Sequence, residues 1–302
     1  MVAGGLCLPL LGCTASPPNP PAESASDSAT PTAALSVRDQ RIHDAINRRE
    51  NVLTTFWGKP WDKRPWQQVS TGYLPQVERY QDRLNKAWKE TDYYPTRDPE
   101  SPSTVYAESG SLAIAAQRDS NGSESVSVFS WRGNELSMLF TIPWTHEMWM
   151  PKGVESAMVK PPAPALTSQL TRYWETGELP ADVTLNPNGA PFVFSWNFEE
   201  PEIHESYSCE VYRHSGEAYA WSLPVEFGQL SLVAIDCRYR VRATGFLIGL
   251  PPQDADVTGN DKAAYSRLDC RWIYPMRVLV GDNGAVKWDH VGVQPMDVCT
   301  AS

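Results

Sequence analysis

The chain predicts an α+β fold in which N-terminal helices pack on a largely antiparallel β-sheet body stapled by disulfides. Three observations carry that prediction. Apolar residues recur at helical spacing only early in the body, period-two alternation takes over after about residue 110, and four cysteines are spread through the last third of the chain. Helices followed by strands, without strict alternation of the two, favour segregated layers over a doubly wound sheet.

The first helix is announced by Ser36 and, three residues on, Asp39, an approximate capping box. Leu35, Ile42, Ala45, Ile46, Leu53 and Phe56 then follow one stripe until Gly58-Lys59-Pro60 stops it. Arg38, Arg41, Arg48 and Arg49 lie largely off the stripe, interleaved with Asp39, Asp44 and Glu50, and read as a solvated face. Trp57, Trp61 and Trp66 sit in a turn with Gly58, Pro60 and Pro65. A second helix spans 75–89, with Pro75 suited to its first position and Val77, Tyr80, Leu84 and Trp88 on one face.

Strands follow at 111–117, 125–131 and 135–142, joined by Asp119-Ser120-Asn121-Gly122 and by Arg132-Gly133-Asn134. Val126 and Val128 face one way, Ser125, Ser127 and Phe129 the other, so one face of this meander is expected to be partly wet. Prolines at 143, 151, 161, 162 and 164 break the regularity and make 151–164 the candidate boundary for any subdivision. The same stretch carries Trp144 and Trp149. A short helix over 166–176 is closed by Gly177. Strands resume at 192–198, 208–213, 217–223, 230–243, 267–273, 277–280 and 286–289, and Asp282-Asn283-Gly284 is the clearest hairpin turn in the chain.

Of six cysteines, Cys209, Cys237, Cys270 and Cys299 belong to the body, at spacings of 28, 33 and 29 residues with no Cys-x-x-Cys pair. This favours two disulfides over a zinc site. Three connectivities exist; neighbours along a meander are often neighbours in space, which favours Cys209–Cys237 and Cys270–Cys299.

At the other end, Leu10-Leu11-Gly12-Cys13 closes a short apolar run. It is followed by Thr14 to Ala34, with five prolines, four serines, six alanines and no large apolar side chain. The run resembles the signal of a bacterial lipoprotein. The resemblance implies that 1–12 is a signal peptide whose basic opening stretch lies upstream, that Cys13 carries acyl chains such as palmitate, and that two or three chains hold the protein stably in the membrane. Residues 13–34 are then a flexible tether reaching about 25 Å, and 35–302 the body, facing outside the cytoplasm.

Charge narrows the partners. Residues 35–100 hold 12 Lys/Arg against 10 Asp/Glu, whereas 101–302 hold 14 against 24. An acidic body in which no basic stripe is read argues against nucleic acid. No later segment approaches the roughly 18 apolar residues of a membrane span.

Catalytic and cofactor motifs are sparse. There is no Gly-x-Ser-x-Gly elbow, no His-Glu-x-x-His, since His146-Glu147 fails at Met150, and no Gly-rich phosphate or dinucleotide loop. No cofactor or metal is therefore expected. Glu199-Glu200-Pro201-Glu202-Ile203-His204-Glu205 could supply paired carboxylates and an imidazole, but reads first as a soluble surface loop. Asp254-Ala255-Asp256-Val257-Thr258-Gly259 resembles the front of a calcium loop, yet its twelfth place is Tyr265 rather than a bidentate Glu, so a polar surface loop is the favoured reading. Trp57, Trp61, Trp66, Trp144 and Trp149 are candidate ligand-binding rings for a glycan or peptide. The expectation is a lipid-anchored envelope protein whose body is a non-catalytic binding or scaffolding module for a wall glycan, a peptide or another envelope protein. The alternative is an envelope hydrolase built from dispersed carboxylates and His.

Overall fold

In the computed structural model, residues 36–55, 66–88, 104–118, 124–144, 157–185, 203–245, 247–250, 252–259, 264–290, 294–297 and 299–302 are described. The elements are α1 (Val37–Thr55), α2 (Trp66–Val69), α3 (Leu74–Trp88), β1 (Thr104–Ser109), β2 (Leu112–Arg118), β3 (Glu124–Arg132), β4 (Glu135–Trp144), α4 (Pro164–Thr176), β5 (Val183–Leu185), β6 (Ile203–Val211), β7 (Arg213–His214), β8 (Glu217–Ala218), β9 (Ala220–Val225), β10 (Gly228–Ala243), β11 (Ile248–Gly249), α5 (Pro252–Thr258), β12 (Ala264–Tyr265), β13 (Arg267–Gly281), β14 (Val286–His290), β15 (Gln294–Pro295) and β16 (Thr300–Ala301). The mixed α+β class, rich in antiparallel sheet, is as the sequence predicts.

The spine is the antiparallel pair β10 and β13. Fifteen consecutive residue pairs run from Gly228↔Gly281 to Arg242↔Arg267, a ladder about 50 Å long at ~3.4 Å per residue. Each spine strand is flanked along its length by shorter ones: β9 and β6 pair with successive halves of β10, and β14, β15 and β16 with successive parts of β13. A parallel partner, β5, extends the sheet beyond β14. Gly228 starts the ladder because any Cβ there would collide with the Val280 carbonyl oxygen.

Pro275 sits inside β13, where the sequence suggests two strands with a break. The ladder survives for a geometric reason. Ala234, opposite Pro275, directs its N–H to Tyr219 and its C=O to the Tyr212 N–H, away from β13. The pair is thus a non-hydrogen-bonded one, and the donor that proline lacks would point to the other side. There β14 has ended opposite Met276 and β15 has not begun until Ile273.

The smaller sheet is the meander β1-β2-β3-β4, one strand longer than the sequence suggests, with β1 joined to β2 through Gly110 and Ser111. It stacks on the large sheet. Phe140 meets Trp221 of β9 edge-on at 5.8 Å, and Val126, Val128 and Ile114 share a core with Leu223, Leu230 and Leu232. The opposite face is covered by α1: Arg41 lies 4.3 Å over the Trp131 ring, and Arg49 bonds the Val69 carbonyl and approaches the Met138 sulfur. The expected wet face is therefore dry, with Ser125, Ser127 and Phe129 all buried and Ser127 bonded to the Thr141 hydroxyl. Of the arginines of α1, Arg41 and Arg48 are exposed as the solvated-face reading expects, and Arg49 departs from it. Arg49 is buried, Arg41 stacks and pairs with Glu108, and Arg48 donates to the Asn134 carbonyl, because a long cationic side chain can bury its stem while its head finds an acceptor.

Helix α4 covers the outer face of the large sheet. Pro164 opens it, Gly177 closes it with φ 74°, and Leu170, Tyr173 and Trp174 go inward, Trp174 stacking on Tyr274 at 3.7 Å. The order is thus helix, small sheet, large sheet, helix. Leu35–Ser302 forms one compact unit, and its central core draws residues from both sides of the 151–164 stretch.

Both disulfides occur in the pairing the spacing favours. Cys209 and Cys237 are directly opposite on β6 and β10, with Cα atoms 4.2 Å apart. Cys270 of β13 joins Cys299 just before β16, at 4.3 Å. The exposed edge of β6 is partly closed by Glu175 of α4, which accepts the Cys209 N–H at 2.8 Å.

The calcium-like segment is a helix, not a loop. Residues Asp254 to Thr258 lie in α5, and Asp254 is buried, accepting the Tyr80 hydroxyl of α3 at 2.6 Å and the Cys299 N–H at 2.7 Å. One carboxylate thereby ties α3, α5 and the second disulfide together. Asp254→Ala is expected to lower the unfolding free energy by about 2–6 kcal/mol, since two buried donors lose their acceptor at roughly 1–3 kcal/mol each. Denaturant titration with disulfides intact measures it. Burial pushes the Asp254 carboxyl above its ordinary range, so its contribution is complete at pH below the unfolded value. The gap between wild type and variant should therefore narrow as pH rises through the raised value.

Candidate functional site

The tryptophans singled out from the sequence fall largely outside what the structure describes. Trp57, Trp61 and Trp149 lie outside the described residues, as do Cys13, His146, Glu199, Glu200 and Glu202. Trp66 opens α2 and Trp144 ends β4, each described in its backbone alone. Trp174, Trp221, Trp272 and Trp288 are buried core side chains.

Of the acidic septet only the last three residues are described, and they are strand. Ile203, His204 and Glu205 begin β6, so His204 and Glu205 point to opposite faces of the sheet. They cannot act together as an adjacent acid and base. Among the described residues, no set of three or more His, Cys, Asp or Glu side chains is placed to hold a metal ion.

What the fold does assemble is a cationic face. Along β10 the side chains at 230, 232 and 234 are apolar and buried in the core shared with the small sheet. Past Asp236 the same face carries Arg238, Arg240 and Arg242, all exposed, while the other face remains core through Tyr239, Val241 and Ala243. The large sheet simply outruns the cover of the small one. Cross-strand register adds to the patch: Arg271 stands opposite Arg238, Asp269 opposite Arg240 and Arg267 opposite Arg242. On the β6 side, Ser208, Ser206 and His204 face the same three arginines.

Two carboxylates neutralise part of this face. Asp236, only 3 % exposed, accepts two hydrogen bonds from the Arg271 Nε and one from its Nη2 at 2.6 Å, which holds that guanidinium charged and in place. Arg240 donates to Asp269 at 3.0 Å. Arg238, Arg242 and Arg267 make no ion pair with any described residue. The last two, with His204, Glu205 and Ser206, line a cleft of about 540 Å³ that also includes Ser302, whose main-chain oxygen accepts the Ser266 and Arg267 N–H groups.

Residue counting conceals this stripe, because 101–302 has ten more acidic than basic side chains. The readable signal was Arg238-Tyr239-Arg240-Val241-Arg242, a period-two alternation inside a strand. The expectation of no basic stripe is corrected accordingly. The chain matches no protein-family model, and neither curated proteins nor solved structures give a match.

The two ion pairs should differ in weight. Asp236→Ala is expected to cost about 1–3 kcal/mol, because a buried bidentate acceptor is lost. Asp269→Ala, at a half-open surface pair, should cost under about 1 kcal/mol. Thermal melts of the two variants, compared at equal salt, give the ranking.

Proposed function

We propose that the protein is a bacterial envelope lipoprotein, anchored through Cys13, whose body is a non-catalytic binding module. The observation that carries the binding role is the cationic face: a row of arginines left uncovered on β10, a strand whose opposite face is buried core along the same stretch. Sheets in a core of this kind hide their faces, and a charged strip on a rigid two-disulfide frame is suited to holding a partner in fixed register. The two disulfides support an oxidising compartment outside the cytoplasm. No described helix is long and apolar enough to cross a membrane, so the anchor in this reading is lipid at Cys13.

A binding role is favoured over hydrolysis by the chemistry of the patch. Arginines hold anions but do not exchange protons near neutral pH, and His204 and Glu205 are directed to different faces. Among the described residues, no serine hydroxyl, imidazole and carboxylate are joined in a hydrogen-bonded chain at the cleft.

The anchor is tested directly. Cys13→Ser expressed in a bacterial host should incorporate no labelled palmitate and move from the membrane to the soluble exported fraction, with both disulfides formed. A fractionation pattern identical to wild type would remove the lipoprotein reading.

A further inference from the structure

Resting on that binding-module reading, we propose that the cleft at Arg242 and Arg267 is a phosphate site, and that its ligand is a linear phosphodiester polymer of the envelope lying along β10 from Arg242 toward Arg238. Two cross-strand arginine pairs occur in this face, Arg238↔Arg271 and Arg242↔Arg267. Like charges directly opposite on a ladder are destabilising. The fold relieves the first pair internally, because Asp236 holds Arg271. For the second pair no described carboxylate is hydrogen-bonded or ion-paired to either guanidinium; Glu205 also lines the cleft, but from the opposite face of β6, and it is this arginine pair that lines the cleft on the open face. An anion from outside would complete for Arg242 and Arg267 what Asp236 completes for Arg271.

The donor set favours phosphate over carboxylate. Two guanidinium groups line the cleft from neighbouring strands, with His204 opposite Arg242 and Ser206 opposite Arg240 on β6. That is more donors than the two oxygens of one carboxylate can accept, whereas a tetrahedral phosphate presents oxygens in several directions. Extent favours a polymer. Arg238, Arg240 and Arg242 repeat at every second residue, about 7 Å apart, so the row reaches about 14 Å. The net charge of −10 confines such a ligand to the strip, since the remainder of the molecule repels it. A broad anionic bilayer could not approach the strip without meeting that remainder.

Isothermal titration of the full-length exported chain with a synthetic oligo(glycerol phosphate) should show binding that weakens as salt is raised. The Arg242→Gln/Arg267→Gln double variant should bind about ten- to one-hundred-fold more weakly, and Arg172→Gln, an exposed arginine paired with Glu178 on α4 and its exit, should bind as wild type. Because the double substitution removes a like-charge pair, it should melt no lower than wild type, and oligo(glycerol phosphate) should raise the melting temperature of the wild type alone. No binding, binding indifferent to the double substitution, or tighter binding to phosphatidylglycerol vesicles or a single-stranded oligonucleotide of equal charge would overturn the proposal. Capture of an uncharged wall glycan or a neutral peptide, unaffected by the double substitution, would overturn the phosphate site and leave the binding-module reading in place. No binding to any of these probes would remove both.

Discussion

The fifteen-pair ladder between β10 and β13 is the constraint on which the rest of the structure depends. Every other strand of the large sheet hydrogen-bonds to one of these two or to a neighbour of one. Because side chains alternate across a strand, the register of this ladder decides at once which residues meet the small sheet and which meet α4. A slip by one place would send Leu230, Leu232 and Ala234 to the α4 side and bring Tyr239 and Val241 onto the open face. The register is held at the end where the ladder starts, by Gly228 against the Val280 carbonyl and by the Asp282-Asn283-Gly284 hairpin into β14.

The disulfides reinforce the same spine at its half-covered end. Cys237 on β10 and Cys270 on β13 each tie their strand to a shorter neighbour, and both lie on the α4 side, in the core shared with Tyr239 and Trp272. Asp254 extends that bracing to the N-terminal helices, since its two acceptors hold the Tyr80 hydroxyl and the Cys299 N–H together. The region bearing the arginine row is thus stiffened from behind while its front stays open. Rigid backing of this kind keeps charged groups in fixed spacing, which a loop could not do.

The open front follows from a mismatch of lengths. The small sheet covers the first half of β10 and ends, and from Asp236 onward the face turns from aliphatic to cationic. Placing arginines opposite one another costs stability, and a sequence selected for folding alone would fill these positions with threonine, valine or alternating charge. Local conflicts with folding rules of this sort concentrate where a protein does something besides fold.

Much of the fold was legible in the chain itself. Helical period in 36–56 and 75–89, alternation in the strands, Gly133 and Gly177 at turns and caps, and cysteine spacing each report local backbone chemistry, and each finds its counterpart in α1, α3, β2 to β4, α4 and the two disulfides. What local chemistry does not contain is the environment of a face. Pro275 reads as a break, and only its place in a non-hydrogen-bonded pair with Ala234 lets the ladder with β10 run past it; Arg49 reads as a surface charge, and only the Val69 carbonyl and Met138 make it a core residue. Asp254 reads as part of a polar surface loop until Tyr80 and Cys299 are brought to it from 174 and 45 residues away. The alternation Arg238, Arg240, Arg242 stood in the sequence, but its meaning did not. Whether such a row is solvated at random or gathered into a site depends on Arg267, His204 and the edge of the small sheet, and those are set beside it by pairing between distant strands, which no local pattern encodes.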